Sequence, residues 1–452
     1  MAKSVIQDFT CGPLFKPMLR FSIPFMLSNA FHVFYSLTDM IVVGHCVGKP
    51  GIAAVMSGGF LVMFLMMVGM GMATGGQVLV SQLVGKGERA KLCDAIGTLN
   101  VMNTVIALVL SVVSMICAPW VLRLLNTQSE AYKPTLDYLM ICGGGLIFIY
   151  IYNVISAVLR GVGDSIRPFI FLVASALTNV ALDLLFVLYF RWGVAGAAAA
   201  TVVSQAVAAV MALEFMYRRR KEFGLDNFRK AFSWNRTVAK ALVKLGVPFA
   251  VRFGAINVSM IFVVGLINSL GVAAAAAFGI ALRIDELANK TSQGVMMAVS
   301  TIAGQNIAAG KFDRVRRGVY YAWLICGGFF LIFGLTVYFF PRQMFSIFTD
   351  DDSVLKLAPV VVGGLLLHYP ALLIMKGTNG FVQGIGNAVF GLIIAVLDGL
   401  VCRIFFSWFF GIYLKMGLYG MVLGYALATY STALPNLAYF LFVPWHKRKT
   451  VI

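Results

Sequence analysis

Residues 174–186 read ASALTNVALDLLF, and the fold follows from what this stretch requires of its surroundings. It lies inside an apolar run, 168–190, long enough to cross a bilayer as a helix. Within the run Ser175, Asn179 and Asp183 recur every four residues, so they share one helical face. A carboxylate near the middle of a membrane helix costs at least ~2.5 kcal/mol on insertion scales, so it faces a protein interior or a wet cavity. A second apolar run, 19–44, carries Ser22, Asn29, His32, Ser36 and Asp39 at helical steps. Two polar-striped helices, each with one aspartate, point to a small-cation site between them. The plainer reading is that each aspartate bonds a neighbouring helix and that His32 is a satisfied core histidine.

Composition sets the same frame. Of 452 residues, 60% are hydrophobic and 12% charged, and the mean hydropathy is +0.89. A soluble chain carries about 25% charged residues, so this reads as a polytopic membrane protein. Lys16 and Arg20 flank a first run that is too long for a cleavable signal and lacks a small-residue cleavage site. The seven cysteines are scattered with no CxxC pair, the four histidines are far apart, and no GxxxxGK[ST] occurs. That pattern gives no disulfide framework, metal set or ATP-hydrolysing loop, and no cofactor is expected.

Twelve spans are expected: 18–44, 52–83, 94–118, 134–158, 168–190, 194–217, 244–270, 272–308, 318–340, 355–381, 388–412 and 418–443. The net charge of +18 suggests nucleic acid only until its distribution is read. With the N-terminus inside, the connections on that side hold 24 of the 36 Lys and Arg, and the opposite side holds seven. The positive-inside rule then places both termini in the cytoplasm; the plasma membrane is the expected location, and no nucleic-acid partner is expected.

The sequence also repeats itself. Ile23-Pro24-Phe25 recurs as Val247-Pro248-Phe249, and Leu159-Arg160-Gly161-Val162-Gly163-Asp164 recurs as Val382-Gln383-Gly384-Ile385-Gly386-Asn387. Ser81-Gln82-Leu83 to Gly87 matches Gly304-Gln305-Asn306 to Gly310, and Gly193-Val194-Ala195-Gly196 matches Gly417-Leu418-Tyr419-Gly420. All four keep an offset of 223 or 224. The chain therefore reads as an all-α integral membrane protein of twelve transmembrane helices in two six-helix bundles. The N-terminal bundle is 1–217, a basic cytoplasmic linker is 218–243, and the C-terminal bundle is 244–452. Six being even, both halves enter from the same side. Two like bundles facing each other leave a cleft, as in an alternating-access carrier.

The twelve spans, the 6+6 repeat, RGVGDSIRP, TNVALDLLF and GVAGAAAAT together resemble the multidrug and toxic compound extrusion (MATE) family, over 15–442. The resemblance implies a secondary exporter of amphiphilic small molecules, driven by inward Na⁺ or H⁺ and working as a monomer. It implies a cation site at Asp39, Asn179, Asp183 and Thr201, with Asn153 as a further polar residue, and a bending first helix at Pro24. Two carboxylates, an amide and a hydroxyl suit a hard cation such as Na⁺. Two close acids in a poorly solvated site suit a proton equally well.

The C-terminal half departs from this. At the same offset Arg403, Ser407, Val263 and Tyr425 stand where Asn179, Asp183, Asp39 and Thr201 stand. Five basic residues lie inside its spans: Arg252, Arg283, Lys290, Lys376 and Arg403. Spacing pairs Arg283 and Lys290 with Glu286, and Lys376 is expected to snorkel to the membrane surface. Arg252 and Arg403 are left to share Asp398. With Ser407 and His32 they are candidate residues of the substrate cleft, and an unpaired arginine there would favour neutral or anionic cargo. The alternatives are a flippase for a lipid-linked or anionic molecule and a membrane-embedded transferase, the latter disfavoured by short loops without a catalytic constellation.

Overall fold

The protein is described by a computed structural model covering residues 5–451 except 126, 226 and 449; the side chains of 30, 32–46, 49, 50, 52, 89 and 228 lie outside the described set. In a bilayer every backbone N–H and C=O must be bonded internally, so apolar runs of this length become helices. They do: α1 (Phe15–Val47), α2 (Lys49–Lys86), α3 (Arg89–Leu124), α4 (Ser129–Gly144), α5 (Leu146–Gly161), α6 (Ile166–Asp183), α7 (Gly193–Arg218), α8 (Arg236–Asn268), α9 (Val272–Ala308) and α10 (Phe312–Phe339). Two short helices follow, α11 (Pro341–Ser346) and α12 (Asp352–Leu355), then α13 (Ala358–Gly384), α14 (Ala388–Val396), α15 (Ile404–Trp408) and α16 (Gly417–Phe442). The helix of α6 continues as a π-helical segment, Leu184–Tyr189. Two more π segments, Leu397–Arg403 and Phe409–Tyr413, flank α15. No strand occurs among the described residues.

Each expected span falls on a long helical rod, but the fourth is broken. The axes of α4 and α5 differ by 47° across Gly145. The cause is local: Gly143, Gly144 and Gly145 remove three side chains in a row, a weak point in a helix. Val202 of α7 fills the space, since a Cβ on Gly145 would lie 2.4 Å from its methyl carbon.

The backbone repeats as the sequence does. Left-handed φ angles occur at Gly48 and Gly271, Gly87 and Gly310, Gly163 and Gly386, and Gly193 and Gly417. Even Arg191 and Lys415, where a side chain makes that conformation costly, share it at φ 57° and 55°. All these pairs keep the offset of 223 or 224. Asp164 closes one copy of the turn by accepting from the Ile166 and Arg167 backbone N–H groups at 3.1 and 3.3 Å.

The chain forms two compact units, 5–8 with 27–250 and 9–26 with 251–451. The first is built around Val62, Leu122, Tyr138 and Val187. The second is built around Phe21, Phe278, Val319, Phe381 and Met421. Outer faces stay apolar, with Val112, Ile116 and Trp120 on α3 and Leu324, Leu331 and Ile332 on α10 exposed. This is the surface that lipid requires. The basic linker is more ordered than its composition suggests. Phe223, Leu225 and Ala231 are buried, and Asn100 donates to the Ala231 carbonyl at 3.0 Å, which docks the linker on α3.

Candidate functional site

In the first unit the polar stripe on α6 turns inward. Ser175, Asn179 and Asp183 are buried, the last two at 0% exposure, while Ile170, Leu177 and Leu184 point outward. The stripe is tied to α7 by Ser175, whose hydroxyl donates to the Ser204 carbonyl at 2.8 Å. The side-chain amide of Asn179 has no hydrogen-bond partner among the described residues. Asp183 is the last α-helical residue before the π segment, where the backbone loosens by one residue per turn.

Helices α5, α6 and α7 lie against one another. Asn153 on α5 and Thr201 on α7 are both half-buried there. Thr201 donates its proton to the Ala197 carbonyl at 3.0 Å, which leaves its oxygen lone pairs available as acceptors. Asp39 and His32 lie on α1, but their side chains are outside the described residues. Two contacts bracket that stretch: the Phe31 ring is 6.1 Å from the Phe169 ring of α6, and Val47 packs against the start of α7. Asp39 is eight residues from each. Asn153, Asn179, Asp183 and Thr201 thus put oxygen atoms on three adjacent helices, and oxygen is the ligand type that a hard cation takes.

The second unit answers with a different cluster. Of the two arginines near Asp398, Arg403 takes it: Nη2 lies 3.0 Å from Oδ1, and Thr432 donates to Oδ2 at 3.0 Å. Arg403 also stacks over the Tyr425 ring at 5.0 Å. Arg252 makes no ion pair among the described residues. Ser407 is fully buried with no hydrogen-bond partner among them. The expected pairs on α9 form, Arg283–Glu286 at 3.0 Å and Lys290–Glu286 at 2.6 Å. Lys376 corrects the snorkelling expectation. It is buried and donates to the Asn289 backbone carbonyl at 2.9 Å and to its side-chain oxygen. Its ammonium finds those acceptors inside, so it has no need to reach the surface.

Sequence reading missed the partners of Asp285. Tyr425 donates to its Oδ2 at 3.0 Å, and His368 Nε2 stands 3.5 Å from its Oδ1. The one available signal was that Asp285 stays unpaired once Glu286 takes both neighbouring bases. No group of three or more potential metal ligands occurs among the described residues.

Comparison with known proteins gives this geometry a family. The MatE family model matches residues 24–185 and again 248–409, one copy per half. "Probable multidrug resistance protein YpnP" of Bacillus subtilis is 26% identical over 443 residues, covering 98% of each chain. "Probable multidrug resistance protein NorM" of Thermotoga maritima is 24% identical, covering 96% of this chain and 93% of that one. Among solved structures, one described as "Outward-facing conformation of a multidrug resistance MATE family transporter of the MOP superfamily" superposes with a TM-score of 0.91 at 21% identity, covering 98% of both chains. The fold is thus the all-α one expected, twelve transmembrane helices in two bundles. The chain belongs to the MatE family, whose members are membrane transporters and not enzymes.

Proposed function

We propose that the chain is a secondary active exporter of amphiphilic small molecules, driven by inward movement of Na⁺ or H⁺ through the α1–α5–α6–α7 site. Asp183 and Asp39 supply the charge, and Asn179, Thr201 and Asn153 supply neutral oxygens. It works as a monomer in the plasma membrane with both termini in the cytoplasm, and needs no cofactor beyond the coupling ion. The observation that carries this reading is the fully buried Asn179–Asp183 pair on a membrane-crossing helix. The names of the relatives, multidrug resistance proteins, support the cargo class. Of the basic residues, Arg403 is neutralised by Asp398, whereas Lys376 is held by the neutral Asn289 and Arg252 makes no ion pair among the described residues, which keeps an anionic or lipid-linked cargo as the second reading.

The test is efflux of ethidium from proteoliposomes under a Na⁺ gradient and a pH gradient imposed separately. Wild-type protein is expected to respond to one of them. Asp183→Asn, which keeps the shape and removes the charge, is expected to lose transport at least about tenfold. A membrane potential of 100 mV is worth ~2.3 kcal/mol per charge, and only to a site that loads the ion. Efflux by Asp183→Asn at the wild-type rate would place coupling elsewhere.

A further inference from the structure

The second unit holds a buried histidine and carboxylate facing each other, and the site described above does not use them. His368 on α13 and Asp285 on α9 are each 2% exposed. Their nearest atoms, Nε2 and Oδ1, are 3.5 Å apart, close enough for an ion pair. That contact is too long for a good hydrogen bond. Accordingly both ring nitrogens of His368 and Oδ1 of Asp285 lack hydrogen-bond partners among the described residues. The other carboxylate oxygen is taken by the Tyr425 hydroxyl. The Tyr425 ring also lies 5.0 Å from the His368 ring, so the three groups form one unit.

The remaining charges around His368 are already committed. On the π segment Arg403 is paired with Asp398, and on α13 itself Lys376 is held by Asn289. Tyr369, the next residue on α13, is neutral at ordinary pH. The α14 helix brings no titratable side chain. One carboxylate and one imidazole are therefore left to act on each other. A histidine kept for structure would have its nitrogens bonded, as buried polar groups are. A neutral ring can offer Asp285 a single N–H; with both nitrogens protonated it becomes a cation against a carboxylate, and the 3.5 Å gap can close to a charge-assisted hydrogen bond.

We propose that Asp285 and His368 form a proton-binding site in the second unit, separate from the Asp39–Asp183 site, which takes up one proton on the imidazole and releases that same proton later in the cycle. No other atom moves between partners. The inference rests on the reading of the chain as an ion-coupled exporter only for the cycle, since the binding of the proton is a property of the resting protein.

The test uses purified full-length protein labelled with ¹⁵N-histidine and titrated by NMR from roughly pH 8 to 5, the range over which histidine changes charge. His368→Gln assigns the signal. In the wild type the His368 ring is expected to pass from imidazole to imidazolium, and in Asp285→Asn the midpoint of that change is expected to fall by about one pH unit or more, a roughly tenfold loss of proton affinity, as when an opposite charge within 4–6 Å is removed. Tyr425→Phe strips the donor from Oδ2 and is expected to move the titration as well, which keeps the test open if Asp285→Asn does not purify. A His368 ring that stays in one state throughout, or that titrates identically in the variants, overturns the proposal. Ethidium efflux on the same preparations separates the two readings: absent efflux with an intact His368 titration sinks the exporter and leaves the proton site standing.

Discussion

At the scale of single residues, the two halves solve one position in opposite ways. Asn179 and Asp183 in the first half become Arg403 and Ser407 in the second. The first half places an acid beside a neutral amide there, whereas Arg403 brings a cation and pairs with Asp398, five residues before it. Arg403 and Asp398 are both nearly inaccessible, and removing one partner of a buried pair leaves an unpaired charge in a low-dielectric interior. Arg403→Ala and Asp398→Asn are each expected to lower stability by about 3–5 kcal/mol. The double variant Arg403→Met/Asp398→Leu should recover much of that. Thermal melts of the three proteins in detergent check this; equal losses in all three would mean that packing, not charge, holds the pair.

At the scale of elements, close helix contacts rest on glycine. A Cβ on Gly424 of α16 would lie 2.4 Å from the Ser407 nitrogen and 2.5 Å from the Phe406 carbonyl carbon, backbone atoms that cannot swing away. Without a hydrophobic drive between helices in lipid, such approaches supply much of the association. Gly424→Ala is expected to cost about 1–3 kcal/mol through overpacking. Gly279→Ala, where a Cβ meets nothing within 4 Å, should leave the melting temperature unchanged or raise it. A Gly424→Ala protein as stable as its parent would show that α15 and α16 can slide apart. The first helices of both halves share another feature. Pro24 lies inside α1 three residues before that helix passes from one unit to the other at Leu27, and Pro248 lies inside α8 three residues before Val251. A proline removes one backbone bond from a helix interior, and each lies beside a handover between units.

At the scale of the whole molecule, the charge asymmetry makes a claim about orientation. Lys230 in the linker and Asp350 between α11 and α12 are both exposed. In a background with the seven native cysteines replaced, Lys230→Cys is expected to be closed to an impermeant thiol reagent in intact cells and open after permeabilisation. Asp350→Cys is expected to react without permeabilisation. The reverse pattern would invert the topology.

What the sequence by itself determined is whatever a bilayer imposes locally. Apolar runs became helices because backbone groups in lipid have no other partners. The constant offset of 223 or 224 became two copies of one backbone, down to the strained φ of Arg191 and Lys415. The stripe through Ser175, Asn179 and Asp183 turned inward because residues four apart share a face. Pairs three or four residues apart were legible for the same reason, as Arg283, Glu286 and Lys290 show. Only the tertiary structure decided which distant groups meet. Tyr425 reaches Asp285 across 140 residues and Lys376 reaches Asn289 across 87. Sequence spacing says nothing of such pairs, because they are fixed by how helices lean on one another and by the small residues that let them approach. The approach of His368 to Asp285 at 3.5 Å is of that kind, two residues far apart in sequence brought together by the packing of α9 against α13.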